Sequence, residues 1–323
     1  VSPATRRSRG RFGLSYNEEV PVLVLFLDGV GLGPDDPASN PFARGATPAL
    51  RALLGGPLVH RGVVERPGVL LVAADAGLGV PGLPQSATGQ TALLTGINAP
   101  ALVGRHVTAY PTRALRDLLA TRSLFAGLRR DGRRVALANA YSPEYFAALA
   151  ARRLRMAAVT FAADSAGVPL RGLDDLRAGR AVFHDLTGGR LRGWGHDVPA
   201  LTAYEAGRRL AAIARAEEMT FFEFFLTDLV GHGRIASGAD EVVAMADALI
   251  GGALDGAAPD LTVVVTSDHG NLEDGRSTAH TTNPVPVLAA GPGREAFRDV
   301  RAITDVAPAV RAVLAGSLAA PAR

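Results

Sequence analysis

The chain has 323 residues, a formal net charge of +3, 48% hydrophobic residues and no cysteine; it can bury a large core, and disulfide frameworks, thiolate metal ligands and a cysteine nucleophile are excluded. No apolar run approaches the roughly 18 residues of a membrane span, so no membrane partner is expected. All 34 basic residues are arginine, scattered among 31 acidic ones, and aromatics make up only 6%, which is not the clustered basic and aromatic face that nucleic-acid binding requires.

Residues 1–19 contain paired arginines but no small-residue cleavage site, and they read as a flexible basic tail on a cytoplasmic protein. The apolar run VPVLVLFLDG (20–29) then reads as a buried strand ending at Asp28. A helical pattern follows in TPALRALLGG (47–56), and GLPQSATGQTALLTG places Ser86 and Thr88 at the start of a short helix. Next come a helix in SLFAGLRRDG (123–132) and a strand in RRVALANA (133–140). Residues from about 141 to 200 turn rich in Gly, Arg and Asp with weak periodicity, the texture of a small lid or subdomain. The helix YEAGRRLAAIARAEE (204–218) leads into a strand, MTFFEFFLTD (219–228), and the helix ADEVVAMADALIGGALDG (239–256) into another, LTVVVTSDHG (261–270). Strand and helix alternating in this way predict an α/β fold over residues 20–323, a mostly parallel central sheet with helices on both faces.

In such sheets ligands bind beyond the carboxyl ends of the strands. Asp28, Asp228 and Asp268 all stand at predicted strand ends, so the fold would bring them to one edge from distant parts of the chain. Each has an ordinary explanation alone, since Asp commonly ends a strand by capping a turn. Asp228 and His232 have the i, i+4 spacing that puts carboxylate and imidazole on one helical face. Asp268 and His269 are adjacent; neighbours in a regular strand point to opposite faces, so both serve one site only where the strand is ending, and Gly270 permits that turn. His280 returns in STAHTTNPVP after a short loop.

Three Asp and three His so placed suit Zn2+ or Mn2+ equally. Six ligands are too many for one catalytic ion with an open position and fit two divalent ions better. Ser86 or Thr88, at a helix N-terminus where backbone N–H groups favour a phosphate, would be the nucleophile; the competing reading is simple helix capping. Arg105, His106, Arg192, Trp194 and His196 are candidate substrate contacts, each with the plainer reading of a surface residue.

Taken together, VLFLDGVGLG, QSATGQTALLTG, FFLTDLVGHG and TSDHGNLEDG with STAHTTNPVP resemble the alkaline-phosphatase superfamily, and within it the metalloenzyme branch containing cofactor-independent phosphoglycerate mutase and phosphopentomutase. The resemblance implies an alkaline-phosphatase-like core, one metal site from Asp28, Ser86, Asp268 and His269, and a second from Asp228, His232 and His280. It also implies that Ser86 is the phosphorylated hydroxyl, leaving Thr88 as the weaker candidate. Gln90 departs from the pattern, since those mutases usually carry His there. The interval 141–200 is too short for the large inserted domain of the mutases, which favours a two-metal phosphohydrolase acting on a small phosphate ester. The alternatives are a phosphomutase or phosphotransferase, and a metal-stabilised binding protein without turnover.

Overall fold

Seven strands form one sheet in the computed structural model, which describes residues 20–316; the predicted tail, residues 1–19, lies outside them. The strands are β1 (Val22–Leu27), β2 (Val64–Arg66), β3 (Val69–Ala74), β4 (Val135–Leu137), β5 (Met219–Phe224), β6 (Thr262–Thr266) and β7 (Val285–Ala290), in the order β2-β3-β7-β6-β1-β5-β4. β6, β1, β5 and β4 run parallel, with β1 between β5 and β6. β7 is antiparallel to β6, β3 to β7 and β2 to β3. The sheet is therefore mixed at one side and parallel at its centre.

β1, β5 and β6 are buried along their whole length, as expected for parallel strands covered on both faces. The period-2 geometry of a strand divides β1 between two cores. Val22, Val24 and Phe26 join the core formed with the helices Ser86–Thr95, Arg113–Arg122, Ala158–Ser165 and Val306–Leu314. Leu23, Leu25 and Leu27 join the other, formed with the helices Pro48–Leu54, Ala203–Ala214 and Ala239–Gly256. No helix among the described residues is long and apolar enough to cross a membrane.

The antiparallel side was not anticipated. Proline inside a strand normally argues against one, and β7 contains Pro286 opposite Ala73 of β3. On its other side β7 pairs with β6 only from Val287 onward, so the missing N–H interrupts no ladder there. A second difference concerns Asp228: β5 stops at Phe224, and Asp228 lies in the following helix, Leu226–Gly231.

The interval 141–200 carries the helices Pro143–Ala150, Ala158–Ser165, Leu173–Arg177 and Gly189–Gly193. The second packs in the first core through Ala158, Val159, Ala162 and Ala163. Residues around 173–198 close over a small cluster of their own, including Leu173, Leu176, Phe183 and Leu191. Bridges from Asn139 to Val182 and from Ala140 to Arg171 fix this part to the end of β4.

The helices Ala203–Ala214 and Ala239–Gly256 cross where both lack a side chain. A Cβ on Gly207 would collide with the Leu249 carbonyl and come within 2.7 Å of the Ala253 nitrogen. Gly207→Ala gains about 1 kcal/mol of helix propensity, but contact with unyielding backbone costs about 1–3 kcal/mol or more, and the second effect wins. Thermal denaturation is expected to show a lowered midpoint for Gly207→Ala and none for Gly193→Ala, where nothing lies within 4 Å.

Candidate metal centre and nucleophile

The site forms where β1, β5 and β6 end. Asp28 is the residue after β1, and the chain turns at Gly29 with φ of 71°, a conformation that favours glycine. Space makes the same demand, because a Cβ on Gly29 would lie 3.0 Å from Asp228 Oδ1. Asp268 and His269 follow β6 by two and three residues, past the regular alternation, and both are fully buried. The helix Ser86–Thr95 points its first residue at them, and Gly89 lets it approach: a Cβ there would stand 2.8 Å from the Asp268 carbonyl oxygen.

Two groups of side chains converge. In the first, Ser86 Oγ is 3.0 Å from His269 Nε2, which is also 3.4 Å from Asp28 Oδ1 and 3.5 Å from Asp268 Oδ2. In the second, His232 Nε2 lies 3.0 Å from His280 Nε2, and Asp228 Oδ1 is 3.3 Å from the first and 3.6 Å from the second. The groups are contiguous: the His269 and His280 rings stack with centroids 3.7 Å apart, and His269 has a ligand atom within 4.8 Å of those of both Asp228 and His280. The side chains thus form one continuous cluster, in which His269 reaches toward both groups.

The donor set fits divalent cations. His232 Nδ1 is 2.7 Å from the Thr278 carbonyl and His280 Nδ1 is 2.7 Å from that of Pro84. A carbonyl only accepts, so each Nδ1 carries the proton and donates it. In the neutral rings the two Nε2 atoms then face each other as lone pairs, which repel unless a cation or a proton lies between them; carbonyl-held imidazoles are the usual support of metal ligands. Asp28 Oδ1, Asp228 Oδ1 and Asp268 Oδ2 are buried with no hydrogen-bond partner among the described residues, a costly arrangement for anions without counter-charge.

The titration tendencies have the same origin. Burial raises the Asp28 carboxyl well above its ordinary value, and the charges of Asp268, Asp228 and Glu223 add to it. Asp268 is raised, again chiefly by burial, and burial lowers His269, which keeps its ring neutral. At Asp228 burial pushes upward, but the neighbouring His280, His269 and His232 imidazoles outweigh it and the net shift is downward.

The structure also distinguishes the two hydroxyls. Thr88 is fully buried; its Oγ1 donates to the Gln85 carbonyl at 3.2 Å and accepts from the Val107 N–H at 3.1 Å. Ser86 instead lines a cavity of about 1210 Å3 together with Asp28, Asp228, His232 and His280. Gln90, in place of the expected His, donates from Nε2 to Asp28 Oδ2 at 3.2 Å. It thus fixes one oxygen of Asp28 and leaves the other facing His269.

Sequence reasoning missed two contributors, Glu223 and Glu273, and ranked a third, Trp194, too low. Glu223 is a fully enclosed carboxyl in the apolar run of β5 that lines the cavity, and burial first and Asp268 second push its pKa up to about 8; a single acid inside MTFFEFF was the available signal. Trp194, read as a surface residue, lines the same cavity. Of the others in that reading, His106 bonds to the Val80 carbonyl, Arg192 to those of Thr187 and Pro199, and His196 to Glu144. Glu273 has no exposed surface. It accepts from the Gly31 N–H at 2.9 Å, the Asn271 N–H at 2.8 Å, Asn283 Nδ2 at 3.0 Å and the Thr281 hydroxyl. This one carboxylate ties the loop bearing His269 and His280 to the loop bearing Asp28.

Glu273→Gln turns an amide N–H toward donors and loosens that clamp without touching the converging groups. Divalent-ion affinity is expected to fall about 10- to 100-fold, as for other supports of metal ligands, while Asp274→Asn, whose Arg276 partner is on the surface, leaves it unchanged; calorimetric titration with Mn2+ or Zn2+ measures both.

Comparison with known proteins agrees with this geometry. Residues 199–320 match the family model described as the Metalloenzyme superfamily. The 2,3-bisphosphoglycerate-independent phosphoglycerate mutase of Flavobacterium johnsoniae is 35% identical over 121 residues, covering 35% of this chain and 24% of the relative; the match thus spans about a quarter of that enzyme's length. Among solved structures, the PH0037 protein of Pyrococcus horikoshii aligns with a TM-score of 0.54 at 14% identity, over 94% of this chain and all of that one. Alkaline phosphatase from the Antarctic bacterium TAB5 aligns at 0.51 and 16%, over 92% and 99%. Residues 199–320 therefore match the Metalloenzyme superfamily, and the fold as a whole is similar to that of alkaline phosphatase.

Proposed function

We propose that the protein is a metal-dependent phosphohydrolase that cleaves a phosphate ester through a phosphorylated Ser86. The observation that carries this reading is the position of Ser86 Oγ, 3.0 Å from His269 Nε2 and on the wall of a large cavity that Asp28, Asp228, His232 and His280 also line. Asp28, Asp268 and His269 would hold one divalent ion beside Ser86, and Asp228, His232 and His280 a second. Bound there, the ions would lower the pKa of a coordinated hydroxyl and polarise phosphate oxygens.

The chain's own groups do the rest. Ser86 Oγ gives up its proton to solvent and attacks phosphorus as the bond to the alcohol breaks, the alcohol leaving with a proton from water; water then cleaves the phosphoserine, releasing phosphate and restoring the Ser86 hydroxyl. The start of the helix Ser86–Thr95 presents N–H groups at the phosphate end of the cavity, where partial positive charge favours an anion. Gln90 holds Asp28 in place throughout. Glu223, whose carboxyl is pushed up to about 8 by burial, lines the same cavity.

Hydrolysis is favoured over mutase chemistry by what surrounds the site. A mutase must keep water from its phosphoenzyme until the phosphate is returned, and a cavity of about 1210 Å3 leaves ample room for water beside a small ester. The mutase reading draws support from the Flavobacterium johnsoniae relative over its 121 matched residues. Released phosphate favours the first reading, isomerised product without release the second.

Ser86→Ala is expected to lower kcat for phosphate-ester cleavage by about a thousandfold or more, as loss of a nucleophile does elsewhere, with divalent ions still bound. Acid-quenched wild-type enzyme should carry one phosphoryl group on the peptide containing Ser86, detected by mass spectrometry, and Ser86→Ala none. Unchanged turnover in the variant would show that Ser86 is not the nucleophile.

A further inference from the structure

The cavity is far larger than a phosphate needs, and its remaining wall is aromatic. Three of the chain's five tyrosines (Tyr110, Tyr141 and Tyr145) and its only tryptophan, Trp194, line it together with Phe183 and Phe225. In a chain with 6% aromatic residues, that concentration on one surface is not a compositional accident. The rings already pack on one another: Tyr141 stacks on Tyr145 with centroids 4.6 Å apart, and Trp194 meets Phe183 edge-on at 6.4 Å. Trp194 nevertheless keeps 52% of its surface exposed; the Arg190 guanidinium lies over the ring at 5.6 Å, and apolar surface remains for something else to cover.

The charges in this part of the cavity point the same way. Its arginines are Arg155 and Arg234, and Arg155 is stacked over the Tyr110 ring at 4.8 Å. His184, beside Phe183 and Phe225, has its pKa lowered to about 4 by burial and presents a neutral ring at pH 7. A short acidic alcohol such as glycerate would need its carboxylate met by convergent cations and would leave the aromatic wall wet. A planar ring would cover that wall, and stacking tolerates any ring with a π face.

We propose that the alcohol part of the substrate carries a large planar ring, aryl or nucleobase, which stacks against this aromatic wall while the phosphate lies at Ser86. The inference rests on the reading of Ser86 as nucleophile for its orientation, and on the cavity alone for the ring subsite.

The test uses pairs of primary-alcohol phosphate esters whose members differ in the ring. Adenosine 5′-monophosphate is compared with ribose 5-phosphate, and 2-phenylethyl phosphate with ethyl phosphate, using the metal-loaded enzyme. The ring-bearing member is expected to show about a tenfold or greater advantage in kcat/KM, the scale of one aromatic stacking contact. In Trp194→Ala and Phe183→Ala that ratio should fall toward one. Advantage in only the first pair identifies a nucleobase, and in both pairs any aryl group. Equal turnover within both pairs would overturn the ring subsite and leave the hydrolase reading standing. Binding is read separately, because Trp194 is the only fluorophore of its kind: adenosine 5′-monophosphate should quench it at concentrations where ribose 5-phosphate does not. Quenching without hydrolysis of any ester would support the subsite while sinking the hydrolase reading. Absence of both quenching and ring preference would overturn the proposal.

Discussion

Asp28 and Asp268 place carboxylate oxygens within 4.8 Å of each other and of a His269 nitrogen, and all three residues are buried. At that separation two negative charges repel by about 3 kcal/mol even at an effective dielectric near 20, and Asp228 adds a third charge close by. A protein could relieve this by protonating the acids, and the raised pKa values of Asp28 and Asp268 are that tendency. It could also relieve it with cations. Cations also suit the His232 and His280 rings, whose Nδ1 protons are turned away onto Thr278 and Pro84 and whose Nε2 atoms face inward.

The fold is arranged to hold this unfavourable cluster together. Parallel pairing of β1 with β5 and β6 delivers three chain segments to one edge at fixed spacing. Gly29 and Gly89 let the Asp228 and Ser86 helices approach to distances that a side chain would forbid. Glu273 then joins the two loops through four donors. Strongly packed apolar strands supply the rigidity, and the polar loops beyond them supply the chemistry, which is why the repulsion is confined to the rim of the sheet.

Much of this was legible in the sequence. β1, β4, β5 and β6 were marked by uninterrupted apolar runs, a signal that buried parallel strands produce, and the residues after them identified the edge where the groups converge. β2, β3 and β7 lacked such a signal: β2 is three residues long, and Pro284 and Pro286 disguised the start of β7. Within the site, the three Asp and three His were recognisable because carboxylate and imidazole stand out at strand ends. Glu273 was not, since its role depends on four partners brought together only by folding. Trp194 was ranked low for a related reason, because a half-exposed aromatic in a glycine-rich segment shows its cavity only once Phe183 and Tyr141 are placed around it. Ser86 was already preferred to Thr88 from the resemblance, and the coordinates add that Thr88 is buried while Ser86 lines the cavity.

The central claim is that divalent cations balance the buried carboxylates. Calorimetric titration of chelator-treated protein with Mn2+ or Zn2+ tests it most directly. The account predicts two ions bound per chain, with protons released as Asp28 and Asp268 ionise, and loss of this uptake in the Asp28→Asn, Asp228→Asn double variant. No ion bound, or the same uptake by the double variant, would contradict it.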